Sequence, residues 1–159
     1  MPIVECGYAG VAAQIAPLSP SDALVRVGPL IAVVISAHPT SSPTSPLTPA
    51  AQSAAQQTFV PALIDTGAYA SAIDDALAQQ LQLPIVNQRV VVGVGGQVTL
   101  NEYLGQILIP ILSTRQYGTF TGAHLATAGV GYRAILGRTL LRDCVLVYDG
   151  ESGSVKLAR

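Results

Sequence analysis

The segment Asp65-Thr66-Gly67-Ala68 follows directly on the apolar run 60–64, and the chain contains only one such site. A carboxylate at the tip of a buried strand is costly unless partners compensate for the water it loses. Gly67 permits backbone conformations that are closed to other residues, and the hydroxyl of Thr66 can anchor a tight loop. The pattern therefore predicts a carboxyl group held rigidly in a cleft. One carboxylate cannot act as both acid and base in the same step, so we expect a second copy of the chain to supply its partner.

The composition predicts one mostly β domain. The chain has 159 residues, of which half are hydrophobic and 11% are charged, with 15 Gly and 11 Pro. Short runs of Val, Ile, Thr and Tyr are separated by Gly and Pro, as in strands and turns. A net charge of -1 without a Lys/Arg cluster gives no electrostatic support for binding nucleic acid or an anionic membrane. The low charge favours self-association instead.

The sequence divides into an N-terminal arm, residues 1–26, and a single domain, residues 27–159. The arm lacks clear periodicity and is expected to be partly ordered. Residues 38–57 are rich in Pro, Ser, Thr and Ala and carry no formal charge, which predicts a surface insertion. Strands are predicted at 28–36, 58–64, 90–94, 98–111, 116–125 and 134–136, short helices within 71–83 and 138–142, and a closing hairpin from 144–148 and 154–157.

The two cysteines are too few for a disulfide framework, so we expect reduced thiols, with Cys6 in the loose arm and Cys144 in the core. Together with His38 and His124 they lack the spacing of metal ligands, so neither a metal nor a cofactor is predicted. No transmembrane helix is predicted, and Glu5 stands where a signal peptide would carry positive charge. These features favour the cytoplasm.

Three segments follow one another in an informative order. The first is 62–68 around Asp65, the second is Gly93-Val94-Gly95-Gly96-Gln97-Val98, and the third is 134–141 around Gly137. In this order they resemble the retropepsin-type aspartic proteases, which include retroviral proteases and bacterial relatives. Asp-Thr-Gly alone is a weak signal, whereas three ordered segments at plausible separations are a strong one.

The resemblance implies a mostly β, closed-barrel-like retropepsin fold with one or two short helices, in which each chain is half an enzyme. Two copies of Asp65 would face each other across a two-fold axis and hydrolyse peptide bonds through an activated water molecule. By the same resemblance Thr66 would hydrogen-bond across the dimer, and Gly67 and Ala68 would support the loop.

Two further sets of residues take roles from the resemblance. A glycine-rich flap would close over the substrate, with an ordinary hairpin tip as the alternative, and it consists of Gly93, Val94, Gly95 and Gly96. Residues of the third segment would line a substrate pocket or pack beneath the loop, and they are Ile135, Leu136, Gly137 and Arg138. Core packing is the safer interpretation of Ile135, and Gly137 would permit a close approach of the backbone.

The chain departs from the retroviral pattern beside the motif and at its C-terminal end. Tyr69 stands where retroviral enzymes often carry an acid that pairs with the arginine matching Arg138, so Arg138 needs another acceptor, for which Asp143 and Asp74 are candidates. The part beyond residue 142 is longer and encodes a hairpin, so the dimer seam is expected to differ from interleaved termini. Ser71 and the pair Asp74-Asp75 are interpreted as the start of a helix.

The sequence thus predicts a homodimeric aspartic endopeptidase that acts on peptides or proteins. A non-catalytic dimerisation or peptide-binding module with the same fold is the alternative from another class. A third hypothesis is a zymogen whose arm, residues 1–26, blocks the cleft until it is removed.

Overall fold

Strands make up most of the part of the chain that the structure describes. The structure is a computed structural model and describes residues 2–7, 18–37, 58–93 and 96–159. Within these residues the strands are β1 (Ile3–Cys6), β2 (Leu30–Ala37), β3 (Thr58–Ile64), β4 (Ala72–Asp74), β5 (Ile85–Gly93), β6 (Gly96–Ile109), β7 (Thr114–Ala123), β8 (Ala134–Leu136), β9 (Val145–Asp149) and β10 (Ser154–Ala158). The helices described are α1 (Pro20–Val27), α2 (Asp75–Gln80), α3 (Arg138–Leu141) and a short 3-10 helix (Pro110–Leu112), and none of them is long and apolar enough to cross a membrane. The insertion predicted at 38–57 lies outside the described residues.

Six strands close into a ring by hydrogen bonding. The order around the ring is β2, β3, β8, β4, β7 and β6, and β6 pairs again with β2 from Val34↔Leu108 to Ala37↔Gly105. β5 lies outside the ring as the antiparallel partner of β6. Closing a sheet on itself removes its free edges. The prediction of a mostly β, closed-barrel-like fold is confirmed, with three short α-helices in the described residues where one or two were expected.

The ring encloses a core of large apolar side chains. Phe120, Ile35 and Ile107 are among the side chains that are almost completely buried, and so is Tyr103. The one polar atom of Tyr103 is satisfied because its hydroxyl donates a hydrogen bond to Asp75 Oδ1 at 2.7 Å. Burial, followed by this hydrogen bond, raises the pKa of Tyr103, which keeps the phenol neutral.

Part of the predicted arm is regular structure. β1 pairs antiparallel with β10, which pairs with β9 in a second, three-stranded sheet. α1 begins after Ser19, whose side chain accepts a hydrogen bond from a backbone N–H in the first turn, and it ends at Gly28 with a φ of 80°. The Ser21 hydroxyl donates to the Gly150 carbonyl and ties α1 to the turn between β9 and β10. The division of the chain at residue 26 stays a prediction.

The two cysteines are free, as expected, but Cys6 is not in a loose segment. Cys6 is buried opposite Val155 of β10, and burial raises the pKa of its thiol to about 11. Cys144 is only partly buried. The placement of Cys6 in a loose arm is wrong, because pairing with β10 carries the first strand into the core, whereas Cys144 packs against the core as expected.

The residues before α2 form a strand where a helix was expected to start. β4 pairs parallel with β7 and antiparallel with β8, and this long-range pairing outweighs local helical preference. α2 begins at Asp75, and Asp74 is its N-cap, with a carboxylate that accepts the Leu77 N–H at 3.2 Å. The interpretation of Asp74-Asp75 as the start of a helix is confirmed.

Asp74 joins three parts of the fold. Its carboxylate accepts the Leu77 N–H in α2 and the Ala126 N–H in the loop after β7, the latter at 2.8 Å. Arg133, directly before β8, places Nη2 3.3 Å from Asp74 Oδ2, and the Asp74 side chain is only 1% exposed. A buried carboxylate with these partners fixes the loop between β7 and β8.

We expect Asp74→Ala to lower the free energy of unfolding by about 3 kcal/mol, because it leaves backbone N–H groups and a guanidinium without their acceptor. Urea unfolding at neutral pH measures the effect. Asp143→Ala is the matched control, since that side chain is 57% exposed and should cost less than about 0.5 kcal/mol. An Asp74→Ala effect as small as that of the control would contradict the anchoring role.

Candidate active site

Asp65 is the first residue after β3 and begins a tight loop, residues 65–70, that we call the Asp65 loop. Its backbone N–H donates to the Leu136 carbonyl at 3.1 Å, which continues the pairing of β3 with β8. Its carboxylate turns back on the loop, and Oδ1 accepts the N–H groups of Gly67 at 2.8 Å and Ala68 at 3.2 Å. The carboxylate is therefore oriented by backbone groups of its own motif, and the support role of Gly67 and Ala68 in a catalytic loop stays a prediction.

The start of α3 lies directly beneath the Asp65 loop. The Arg138 N–H donates to the Ala68 carbonyl at 3.0 Å, and the Thr139 N–H donates to the Tyr69 carbonyl at 3.1 Å. A Cβ atom on Gly137 would lie 2.5 Å from the carbonyl of Ala70, a distance that no real side chain tolerates. Glycine at 137 is thus required for the close approach of the two backbones.

The Arg138 side chain binds the Asp65 loop through main-chain oxygens. Its Nη1 donates to the carbonyls of Thr66 at 2.7 Å and Gly67 at 2.8 Å. The proposed acceptors Asp143 and Asp74 are both wrong, because Asp143 pairs with Arg142 and Asp74 pairs with Arg133. With Tyr69 in place of an acid, the loop carbonyls are the acceptors for Nη1 of the guanidinium.

Ser71 links the residues after the Asp65 loop to β7 and to the start of α3, and it does not cap a helix. Its buried hydroxyl donates to Gln116 Oε1 at 3.1 Å and accepts the Gly137 N–H, also at 3.1 Å. Gln116 Nε2 in turn donates to Thr139 Oγ1 at 3.3 Å. The helix-cap interpretation of Ser71 is wrong, and Gln116 and Thr139 carried no signal in the sequence, since the network depends on β7 reaching α3.

Ile135 and Leu136 of β8 sit in the β3–β8–β4 part of the ring. Leu136 is fully buried and pairs with Ile64, so in this chain it packs beneath the loop. Ile135 is only partly buried and lies opposite Leu63. The roles of both residues toward a substrate stay predictions.

The predicted flap coincides with the far end of the β5–β6 hairpin. Gly93 and Gly96 pair at the end of the ladder, and Gly96 has a φ of 106°, a conformation that favours glycine. Val94 and Gly95 lie outside the described residues. The hairpin is present at the predicted place, and its function as a flap stays a prediction.

Tyr132 is a residue near Asp65 that the sequence did not single out. Burial, and after it the negative charge of Asp65, raises the pKa of Tyr132. Its phenol is therefore neutral, and it stands within electrostatic range of the Asp65 carboxylate. No motif could have identified it, since it lies in the irregular segment before β8.

The other carboxylates near the motif in sequence are engaged elsewhere. Asp74 is bound as described above, and Asp75 accepts hydrogen bonds from Gln79, Asn101 and Tyr103. No group of three His, Cys, Asp or Glu side chains in the described residues could hold a metal ion. The site consists of one oriented carboxylate on a braced loop.

The chain is similar in structure to EIAV protease complexed with the inhibitor HBY-793, with a TM-score of 0.45 and 21% sequence identity. The similarity covers 72% of this chain and 86% of that chain. No protein-family model matches the chain, and no curated protein matches it in sequence. A similarity of this extent leaves the activity to be argued from the residues of the site.

We expect Gly137→Ala to destabilise the fold by about 2 kcal/mol, because the new methyl group forces the Asp65 loop away from α3. Thermal and urea unfolding measure the loss. Gly7→Ala is the control, since a Cβ there meets nothing within 4 Å. Equal stability of the two variants would contradict the close approach.

Proposed function

We propose that the chain is one half of a retropepsin-like aspartic endopeptidase, in which two copies pair and each contributes Asp65. The observation that carries the proposal is the asymmetric binding of the Asp65 carboxylate. Oδ1 accepts two backbone N–H groups, whereas no donor among the described residues binds Oδ2. One oxygen fixes the orientation of the group, and the other is available to a water molecule or to a second carboxyl.

A second copy is the source of the missing carboxyl in this proposal. Asp74 and Asp75 are held by other partners and cannot turn toward Asp65 without breaking them. Thr66 and Gly67 are exposed at the tip of the loop, so another molecule can approach Asp65 from that side. Symmetric pairing of one chain is the simplest way to bring two such carboxyls together.

Two carboxyls at contact distance share one proton, because both cannot easily be ionised there. Aspartic proteases are the established example of this shared proton. The ionised member takes a proton from a water molecule, whose oxygen attacks the carbonyl carbon of the peptide bond. The protonated member donates to the carbonyl oxygen, which gives a tetrahedral diol without a covalent bond to the enzyme. Proton transfer to the nitrogen then breaks the carbon–nitrogen bond.

The β5–β6 hairpin is the proposed flap over the substrate. Val90 and Val98 expose 52% and 48% of their surface on this hairpin, so it offers apolar area to a bound chain. An extended peptide would gain main-chain hydrogen bonds and bury alternate side chains in apolar pockets. Closure of such a hairpin excludes water from the reaction. Ile135 is our candidate for a pocket wall.

Asp65→Asn should reduce peptide cleavage by about a thousandfold or more, because an amide can neither accept the proton of the water nor share one with its mate. Circular dichroism and molecular mass should match the unmodified protein. The measurement is cleavage of a peptide library followed by mass spectrometry, with Asp22→Asn, at an exposed acid of α1, as the control. Undiminished cleavage by Asp65→Asn would contradict the assignment, and tight peptide binding by the unmodified protein without turnover would favour the non-catalytic module.

The rate should show a bell-shaped pH dependence with a mildly acidic optimum. At low pH both carboxyls are protonated and no base remains, whereas at high pH both are ionised and no acid remains. Measuring kcat/KM from about pH 3 to about pH 8 checks this. A rate that keeps rising above neutrality would contradict a shared proton.

A further inference from the structure

β10 has a partner strand from its own chain on each side. β1 pairs along one side and β9 along the other, both antiparallel. A terminal strand of another copy could therefore not insert beside β10 without displacing one of them. The small sheet offers two other places for pairing, the outer edge of β1 and the outer edge of β9.

The outer edge of β9 is apolar and unprotected. In the part of the chain that the structure describes, β9 pairs only with β10, so its other side presents backbone N–H and C=O groups. Val145, Val147 and Tyr148 expose 55%, 54% and 54% of their surface. β9 contains neither Pro nor Lys, the residues that commonly prevent pairing at an open edge.

The two ends of β9 carry opposite charges. A basic end lies near the start of the strand: Arg142 precedes β9 by three residues and shares a pocket with Arg115 of β7 and with Arg159, which follows β10. Asp143 lines the same pocket and pairs with Arg142 at 3.4 Å, which leaves a positive excess. An acidic end consists of Asp149, the last residue of the strand, and Glu151 in the turn to β10, and both are exposed.

We propose that a second copy of the chain docks on the outer edge of β9, antiparallel to it, across a two-fold axis near Val147. An antiparallel copy sets the acidic end of each chain against the basic end of the other, and symmetry makes this contact twice. Val147 then lies beside its own symmetry mate, and Tyr148 lies opposite Leu146 of the other copy, so these side chains gain cross-strand neighbours. The inference rests on the proposed function, because it names the surface that forms the dimer which the Asp65 pair requires.

This edge is joined to the Asp65 loop by α3. Arg138 at the start of α3 holds the Thr66 and Gly67 carbonyls, and Leu141 at its end accepts the Cys144 N–H. β9 begins at the next residue, so the docked surface continues from the helix that braces the loop.

The outer edges of β1 and β5, which pair with no further strand in the described residues, lack this complementarity. Glu5, the one charged residue of β1, is already neutralised by Lys156 of β10 at 3.7 Å. On β5, Arg89 pairs with Glu102 of β6 at 3.7 Å. Neither strand has a positive end and a negative end, so neither is self-complementary under a two-fold axis.

We call the proposed contact between the two β9 strands and their charged ends the seam. A charge exchange between two variants tests it. Arg142→Glu reverses the basic end, and Glu151→Arg reverses the acidic end. Glu151 is preferred to Asp149, because the Asp149 carboxylate accepts the N–H groups of Glu151 and Ser152 and shapes the turn. In either variant alone every end contact becomes weaker or repulsive, whereas a mixed dimer of the two restores attraction at both ends.

We expect each variant alone to raise the dimer dissociation constant by about tenfold or more, and the equimolar mixture to recover most of that loss. Sedimentation equilibrium of the full chain at low salt measures it. Dimers of normal stability in both separate variants, or a mixture no tighter than its components, would overturn the proposal.

A second pair of variants tests the strand edge itself and leaves the charged ends of β9 unchanged. Val147→Lys places a charged side chain at the centre of the seam and should convert the dimer to monomer. Ile3→Lys is the matched control, since Ile3 is 57% exposed on β1 of the same sheet and should leave the dimer intact. A dimer that survives Val147→Lys but not Ile3→Lys would assign the interface to β1 and overturn the proposal.

Different outcomes would overturn the proposed interface and the proposed peptidase activity. An unmodified protein that is dimeric and cleaves peptides, but whose dimer is insensitive to these variants, overturns the seam and leaves the peptidase standing. An Asp65→Asn protein that still cleaves, with a dimer that responds to the variants as expected, overturns the peptidase and supports the seam. An unmodified protein that stays monomeric at every concentration overturns the seam outright.

Discussion

The contact between the Asp65 loop and the start of α3 is the constraint on which the candidate site depends. Leu136, Arg138 and Thr139 supply successive hydrogen bonds to the backbone of the loop, at 3.0 to 3.1 Å. Each is worth only about 1 kcal/mol net. Because they come from neighbouring residues, however, they fit only one alignment of loop and helix. Gly137 makes that alignment sterically accessible, and the guanidinium of Arg138 fastens the exposed tip. The carboxylate then needs only two amides of its own loop to be oriented.

That alignment is set by the register of two strands that lie far apart in the sequence. β3 and β8 pair in parallel with Ile64 opposite Leu136, so the residue after each strand lies at the same edge of the sheet. A slip of one residue would put a side chain where Gly137 now meets the loop, and would turn the buried faces of both strands outward. The closed ring prevents such a slip, since β8 is held by β3 on one side and β4 on the other. The precision of the site is therefore a property of the whole ring.

Local chemistry in the sequence was enough to find Asp65, Gly137 and the hairpin of β5 and β6, because each is marked by residues adjacent in the chain. The features that were missed all depend on strands meeting from a distance. Cys6 is buried only because β1 reaches β10, and Ser71 serves the loop only because Gln116 and Gly137 come to it. Arg138 was recognised, but its acceptors were not, since main-chain carbonyls leave no trace in a residue pattern. Helix propensity is also a poor guide for a short segment such as β4, because pairing with two partner strands decides its conformation.

The distribution of charge links the site to the seam. With only 11% charged residues, the chain neutralises several of them locally, as in the pairs Lys156–Glu5 and Arg89–Glu102. At the ends of β9 the neutralisation is incomplete, because an excess of basic groups remains beside the Arg142–Asp143 pair and two acidic residues lie at the other end. Under a two-fold axis the same arrangement becomes attractive. Asp65 presents the same problem in another form, as a carboxylate with one oxygen held by its own loop and no acidic neighbour to share a proton. In the dimer that we propose, a second copy supplies both the charges opposite the ends of β9 and the carboxyl group that Asp65 lacks.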